Sequence, residues 1–257
     1  HGPTLIDNNI LLSDASLRLA TQGVAMVHNL ICGALTCVGE GTGWRYTPYH
    51  MPHRTEVMGF MTILHGDDRF YNNIFVQKWP SEDFITMHDS DDGFDSENRK
   101  VGTWMFDEYP TYDEWISQFD FTKPADMKKL EPVHFDHLPV WSEGNVYLNG
   151  AKAWKHEKDG LVSSESVKVE LTEKDGKYIL DTNIYEILGD FSGRMINTEV
   201  LGKAFEPEEF FENPDGTPIT FDSDYFGGHR GAKVIPGPFA EKEDVEKNVN
   251  MCMRTAF

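Results

Sequence analysis

Basic residues are scarce in this sequence. Its 257 residues carry 23 lysines and arginines against 43 aspartates and glutamates, a formal net charge of −20. Duplex nucleic acid and a bare anionic membrane would repel such a surface, so both are excluded as partners. Cysteine is scarcer still: Cys32, Cys37 and Cys252 are an odd set of three without CxxC spacing. That is neither a disulfide framework nor a zinc site, and it favours a reducing, cytoplasmic compartment. No apolar run approaches the roughly 20 residues needed to cross a bilayer. The GxSxG elbow, the GxxxxGK phosphate loop and the HExxH zinc helix are also missing. No initiator Met or signal peptide precedes His1-Gly2-Pro3, and the expectation is a fragment, a processed chain or one piece of a complex.

What is present begins with enough apolar character, 39% of residues, to build a packed core rather than a disordered chain. A repeat then stands out. Gly2-Pro3-Thr4-Leu5-Ile6-Asp7-Asn8-Asn9-Ile10 aligns with Gly23-Val24-Ala25-Met26-Val27-His28-Asn29-Leu30-Ile31, and again with the segment from Gly66 to Ile74. A weaker copy runs from Pro139 to Tyr147. Such a unit cannot bury its own apolar face and must stack on near-copies of itself, which predicts the coils of a parallel β-helix. In this alignment Asn8, Asn29, Asn72 and Asn145 form a column, where stacked amides can bond to one another and to the turn backbone.

Two excursions interrupt the coils, Gly39 to Arg54 and Trp79 to Leu138. The second carries a predicted helix over Tyr112 to Phe119, where aromatic and apolar residues recur at helical spacing. From about Ala151 the pattern changes. Val167 to Leu171 alternates strictly, Asp175-Gly176 marks a turn, and Tyr178 to Tyr185 resumes a strand. The expected architecture is therefore all-β: coils of a parallel β-helix over residues 1–150, then a small antiparallel sandwich-like or capping domain over 151–257.

Chemistry concentrates at Tyr46-Thr47-Pro48-Tyr49-His50-Met51-Pro52-His53-Arg54-Thr55-Glu56. Aromatic faces can stack on pyranose rings while charged and amide groups take the hydroxyls. A metal held by His50 and His53 lacks a clear third ligand. The acidic run Asp89 to Asp95 is out of register with a calcium loop and reads as a solvated turn. No metal or other cofactor is expected. Glycoside hydrolysis needs two carboxylates flanking the scissile bond. Near the repeat only Asp7, Glu56, Asp67 and Asp68 are available, and spacing alone pairs none of them.

Several stretches resemble glycoside hydrolase family 120, the β-helical β-xylosidases. The carriers are His1 to Ser13, Gln22 to Leu30, Arg45 to Val57 and Tyr71 to Phe75. The resemblance covers roughly residues 1–150. It implies a right-handed parallel β-helix that hydrolyses β-1,4-xylosides such as xylo-oligosaccharides with retention, acting from the chain end. It also implies that the Asp nucleophile and the Glu acid/base lie ahead of His1, so no catalytic residue is assigned within the chain. What remains would form the downstream wall of the groove, with Thr21, Gln22, His53, Arg54 and Glu56 as sugar contacts. An N-terminal polypeptide completing the β-helix is the expected partner, in an oligomeric assembly. The rival expectations are a non-catalytic carbohydrate-binding or scaffold protein and a polysaccharide lyase.

Overall fold

The computed structural model describes residues 3–19, 21–37, 46–50, 53–78, 101–124, 126, 128–129 and 136–246. The acidic run 89–95 lies outside them, as does Cys252.

The chain is a parallel β-helix. Strands β1 (Thr4–Asp7), β4 (Val24–Val27), β9 (Asp68–Tyr71) and β11 (Val140–Glu143) pair in that order into one parallel sheet. After a two-residue corner each leads into a second parallel sheet, made of β2 (Ile10–Leu11), β5 (Leu30–Ile31), β10 (Ile74–Val76) and β12 (Val146–Leu148), and extended by β13 (Leu161–Ser163). A third side is formed by β3 (Ala15–Leu19) and β6 (Ala34–Cys37), also parallel.

The corners explain the repeat and correct its register. Thr4 pairs with Val24, Ala25 with Arg69, and Val140 with Asp68. The stacked column is therefore Asn9, Asn29, Asn73 and Asn145, and not the one containing Asn8 and Asn72. In each step the backbone N–H and the side-chain Nδ2 of one asparagine donate to the Oδ1 of the asparagine on the following coil: Asn9 to Asn29 at 3.0 and 3.1 Å, Asn29 to Asn73 at 3.0 and 2.9 Å, Asn73 to Asn145 at 2.9 and 3.0 Å. Asn8, Asn72, His28 and Gly144 form the neighbouring column, which takes the left-handed turn with φ of 53°, 53°, 58° and 70°. Asn tolerates that conformation and Gly adopts it freely, so both columns attract the same residues and the sequence alone could slip by one.

Strand faces alternate. Val24, Met26, Ile31, Leu35, Phe70, Phe75 and Tyr147 fill the interior. The outer faces are buried too, which is why β4 reads Val-Ala-Met-Val without a polar position. The C-terminal segment covers them. Ile184, Tyr185, Leu188, Ile235 and Phe239 pack on the second sheet, and Ile196, Leu201, Phe211 and Phe221 on the first. Arg230 fastens this cover: its buried guanidinium donates to Asn8 Oδ1 at 2.6 Å and to the carbonyls of Ile235, Gly237 and Phe239.

The predicted hairpin is present as β14 (Val169–Lys174) and β15 (Lys177–Thr182), turning through Asp175 and Gly176 at positive φ. Its second strand stops earlier than the alternation suggests. The Asn183 amide bonds Lys168 N–H and the Ser166 carbonyl, and Ile184–Leu188 then turns helical to bury Ile184, Tyr185 and Leu188. The helix in the second excursion is Tyr112–Ile116, started by a capping box between Thr111 and Glu114.

Candidate functional site

The corner where the chain enters the first sheet gathers the polar groups that stacking cannot explain. Three residues before Val24, Asp68 and Val140, which share one rung position, stand Thr21, His65 and His137. The two imidazole centroids lie 6.5 Å apart, and His137 stacks face to face on Tyr109 at 4.0 Å. The Nδ1–H of His137 donates to the Leu64 carbonyl at 2.7 Å. Burial, with the neighbouring His137 adding to it, pulls the His65 pKa below its ordinary value. At neutral pH His65 is thus an uncharged ring able to donate at one nitrogen and accept at the other.

Gln22 sits beneath this column, 2% exposed. Its Oε1 accepts the Leu64 N–H at 2.9 Å, while its buried Nε2 has no partner among the described residues. The backbone passes through three successive left-handed residues, His65, Gly66 and Asp67, at φ of 59°, 85° and 55°. A Cβ on Gly66 would stand 2.2 Å from the Leu138 carbonyl oxygen, so the approach of the two coils requires glycine. Strain of this kind persists only where surrounding structure enforces it.

Two carboxylates follow, on opposite faces of the strand. Asp67 points outward: Oδ1 meets Arg69 Nη1 at 2.7 Å and Oδ2 accepts the Phe205 N–H at 2.8 Å. Burial raises its pKa to about 6 against the lowering effect of Arg69. Arg69 in turn lies over the rings of Trp141 at 4.4 Å and Phe211 at 4.6 Å. Asp68 points into the β-helix at the level of Val24 and Val140. Its Oδ1 accepts the Val24 N–H at 3.1 Å, and complete burial holds its pKa well above the carboxylate range. Facing opposite ways, the pair cannot flank one glycosidic bond.

The five sequence-derived sugar contacts fall into two places. Thr21 and Gln22 are at the corner. His53, Arg54 and Glu56 are at the tip of a hairpin formed by β7 (Tyr46–His50) and β8 (Val57–Thr62). The six residues of β8 separate tip from corner by roughly 20 Å along the strand. Arg54 and Glu56 are exposed, with a loose ion pair of 3.9 Å. His53 leans on the C-terminal segment, its Nε2 2.7 Å from Glu212 Oε1, and that hydrogen bond raises its pKa. Among the described residues, no group of three or more His, Cys, Asp or Glu could hold a metal. Of the other carboxylates considered, Asp7 bonds the Asn8 amide at 3.0 Å.

His65, His137 and Tyr109 were not singled out by sequence reasoning. The signal existed: with the alignment set at the observed register, His65-Gly66-Asp67-Asp68 falls on His137-Leu138-Pro139-Val140, and the two histidines coincide.

No family model and no curated protein matches the chain. A solved structure does: the chain is similar to the complex structure of XylC with xylose, at 31% sequence identity and a TM-score of 0.76. The match covers 96% of this chain and 35% of that one, so the chain spans about a third of the length of the XylC chain.

Proposed function

We propose that this chain is part of a retaining, exo-acting β-xylosidase of glycoside hydrolase family 120. In this reading the catalytic Asp and Glu stand on coils stacked against β1, contributed by an upstream segment or a partner chain. The observation that carries it is the likeness to XylC, solved with xylose, over nearly the whole chain. The open coil supports it. Ile6, Leu11 and Leu17 are only partly buried, whereas the residues they pair with, Met26, Ile31 and Leu35, are fully enclosed. Another coil laid on β1 would enclose the first set as β1 encloses the second. Among the described residues no donor reaches the Asn9 side-chain oxygen, the acceptor that such a coil's own asparagine would use.

The corner column then forms one wall of a xylo-oligosaccharide site. The Thr21 hydroxyl hydrogen-bonds a sugar hydroxyl, the buried His65 ring holds the Thr21 backbone from behind, and Gln22 sets the spacing of the wall. The hairpin bearing His53, Arg54 and Glu56 contacts the substrate from the side. Its role is to orient sugar or carboxylates, with the proton transfer itself left to the added carboxylates.

Hydrolysis of an aryl β-xyloside tests the reading. The chain alone should show no turnover, and adding the polypeptide that carries the preceding coils should restore it. Turnover by the lone chain would overturn the division of the site. A stable two-chain complex with no xyloside hydrolysis would overturn the xylosidase assignment and favour a non-catalytic sugar-binding protein.

A further inference from the structure

A row of aromatic rings leaves the first sheet and ends in solvent. It starts at Trp141 on β11, which packs against Phe205 at 5.9 Å and Tyr112 at 6.2 Å. Trp115 joins Phe205 at 5.1 Å, Phe119 follows Trp115 at 4.9 Å, and Phe121 follows Phe119 at 6.2 Å. Burial falls along the row. Trp115 and Phe119 are half-buried, Tyr112 is 42% exposed and Phe121 is 77% exposed. A pocket of about 350 Å³ opens at the far end, lined by Phe119 and Phe121 together with Gln118, Asp120, Lys123 and Lys129. Sites for small ligands begin at about this size.

We propose that this pocket is a second, non-catalytic binding site for an uncharged pyranose chain. Three features select the ligand. Exposed rings offer apolar faces to a sugar's C–H face, as aromatic side chains do wherever one end of a ligand is apolar and the other wet. Charged groups line the same pocket as the rings: Asp120 is paired with Lys123 at 2.7 Å, and Asp126 with Lys129 at 4.0 Å. The cores of protein–protein interfaces are depleted in Lys and Asp, so this interleaving argues against a docked protein. It suits hydroxyls, which take hydrogen bonds from lysines and give them to carboxylates. The net charge of −20 repels a polyanionic glycan and leaves a neutral one.

The inner end of the row is also fixed in place before any ligand arrives. Trp141 is clamped by the Arg69 guanidinium, itself held by Asp67, and the helix Tyr112–Ile116 is set by its capping box. Phe119, packed on Trp115, inherits that anchoring, which reduces the ordering cost of binding at its ring. The site shares no residue with the Thr21–His65–His137 corner, and it does not depend on the hydrolase reading.

The test is calorimetric titration of the full chain with xylohexaose and cellohexaose, with polygalacturonate as the acidic control. Phe121→Ala removes an exposed ring and leaves the core intact; it should weaken hexaose binding about fivefold or more, with Phe119→Ala acting in the same direction. Leu171→Ala, an exposed apolar side chain on the β14–β15 hairpin outside both sites, should leave this binding unchanged. No measurable binding of either hexaose, or binding that both phenylalanine variants leave unaltered, would overturn the proposal. So would a drop in oligomeric mass on Phe121→Ala, since the patch would then be a protein interface. Sugar binding that persists while the complete two-chain assembly hydrolyses no xyloside would uphold this site and reject the catalytic one.

Discussion

The Glu157 carboxylate stands where a fifth asparagine would stand beside Asn145. Its Oε1 accepts the Asn145 backbone N–H at 2.9 Å and Nδ2 at 3.1 Å, repeating the contact each asparagine makes to the one below it. The residue on that rung is Gly160, and a Cβ there would lie 2.7 Å from Glu157 Cγ. Glycine vacates the position and Glu157 fills it. Ser142 Oγ and the Tyr147 hydroxyl complete the shell of the carboxylate.

Removing this cap should be costly. Glu157→Ala leaves the Asn145 backbone N–H and the Ser142 hydroxyl buried without the acceptor they use, each worth about 1–3 kcal/mol. We expect a loss of about 3 kcal/mol in urea unfolding, with Glu157→Gln retaining the larger part of the stability because its side-chain oxygen still accepts. An unchanged midpoint in the Ala variant would show that the ladder ends without needing a cap.

Arg69 makes a second sharp case. It is buried between Trp141 and Phe211, and it neutralises Asp67. Arg69→Leu abandons a buried carboxylate and should destabilise by about 3–5 kcal/mol. The double variant Arg69→Leu with Asp67→Asn should recover much of that loss. Additive losses in the double-variant cycle would sink the pairing argument.

Asp68 gives a pH dependence whose sign is fixed by burial. Its folded pKa is raised well above the ordinary 3.8, and Asp67 is raised to about 6. Between the unfolded and folded values the native state holds more protons than the unfolded chain, so stability falls as pH rises through that window. The contribution is fully present below about pH 4 and is lost above the folded pKa. Asp68→Asn keeps the acceptor for Val24 N–H without the charge. It should flatten the slope and be at least as stable as the parent at pH 7 and above. A parent whose stability rises steadily from pH 4 to 8, with the Asn variant parallel to it, would contradict this.

The hairpin tip supplies a site prediction. In the assembly carrying the catalytic carboxylates, replacing His53, Arg54 and Glu56 together by Ala should lower kcat/KM by more than twofold; a smaller change would remove them from the substrate wall. Separately, the imidazole of His53 should titrate above its usual range by NMR, and Glu212→Gln should bring it back. A His53 midpoint indifferent to Glu212 would show that the 2.7 Å contact does not persist in solution.

The sequence by itself determined that short apolar segments ending in Asn must stack as a parallel β-helix, because neither the apolar face nor the corner amides can be satisfied within one coil. It also marked the Asp175-Gly176 hairpin and the helix beginning at Tyr112, since turn chemistry and capping are local. Only the tertiary structure decided the register. Asn8 and Asn9 are equally good corner residues, and the choice rests on which amide meets Asn29 across the coil. The same holds for the corner site: His65 and His137 are 72 residues apart, and stacking alone brings them together. The outward roles of Arg69 and Arg230 were hidden for the same reason. Beside Asp67, Trp141 and Asn8, their partners include the Phe211 ring and the carbonyls of Leu201, Lys203, Ile235, Gly237 and Phe239, and a backbone carbonyl leaves no mark on the residue type that carries it.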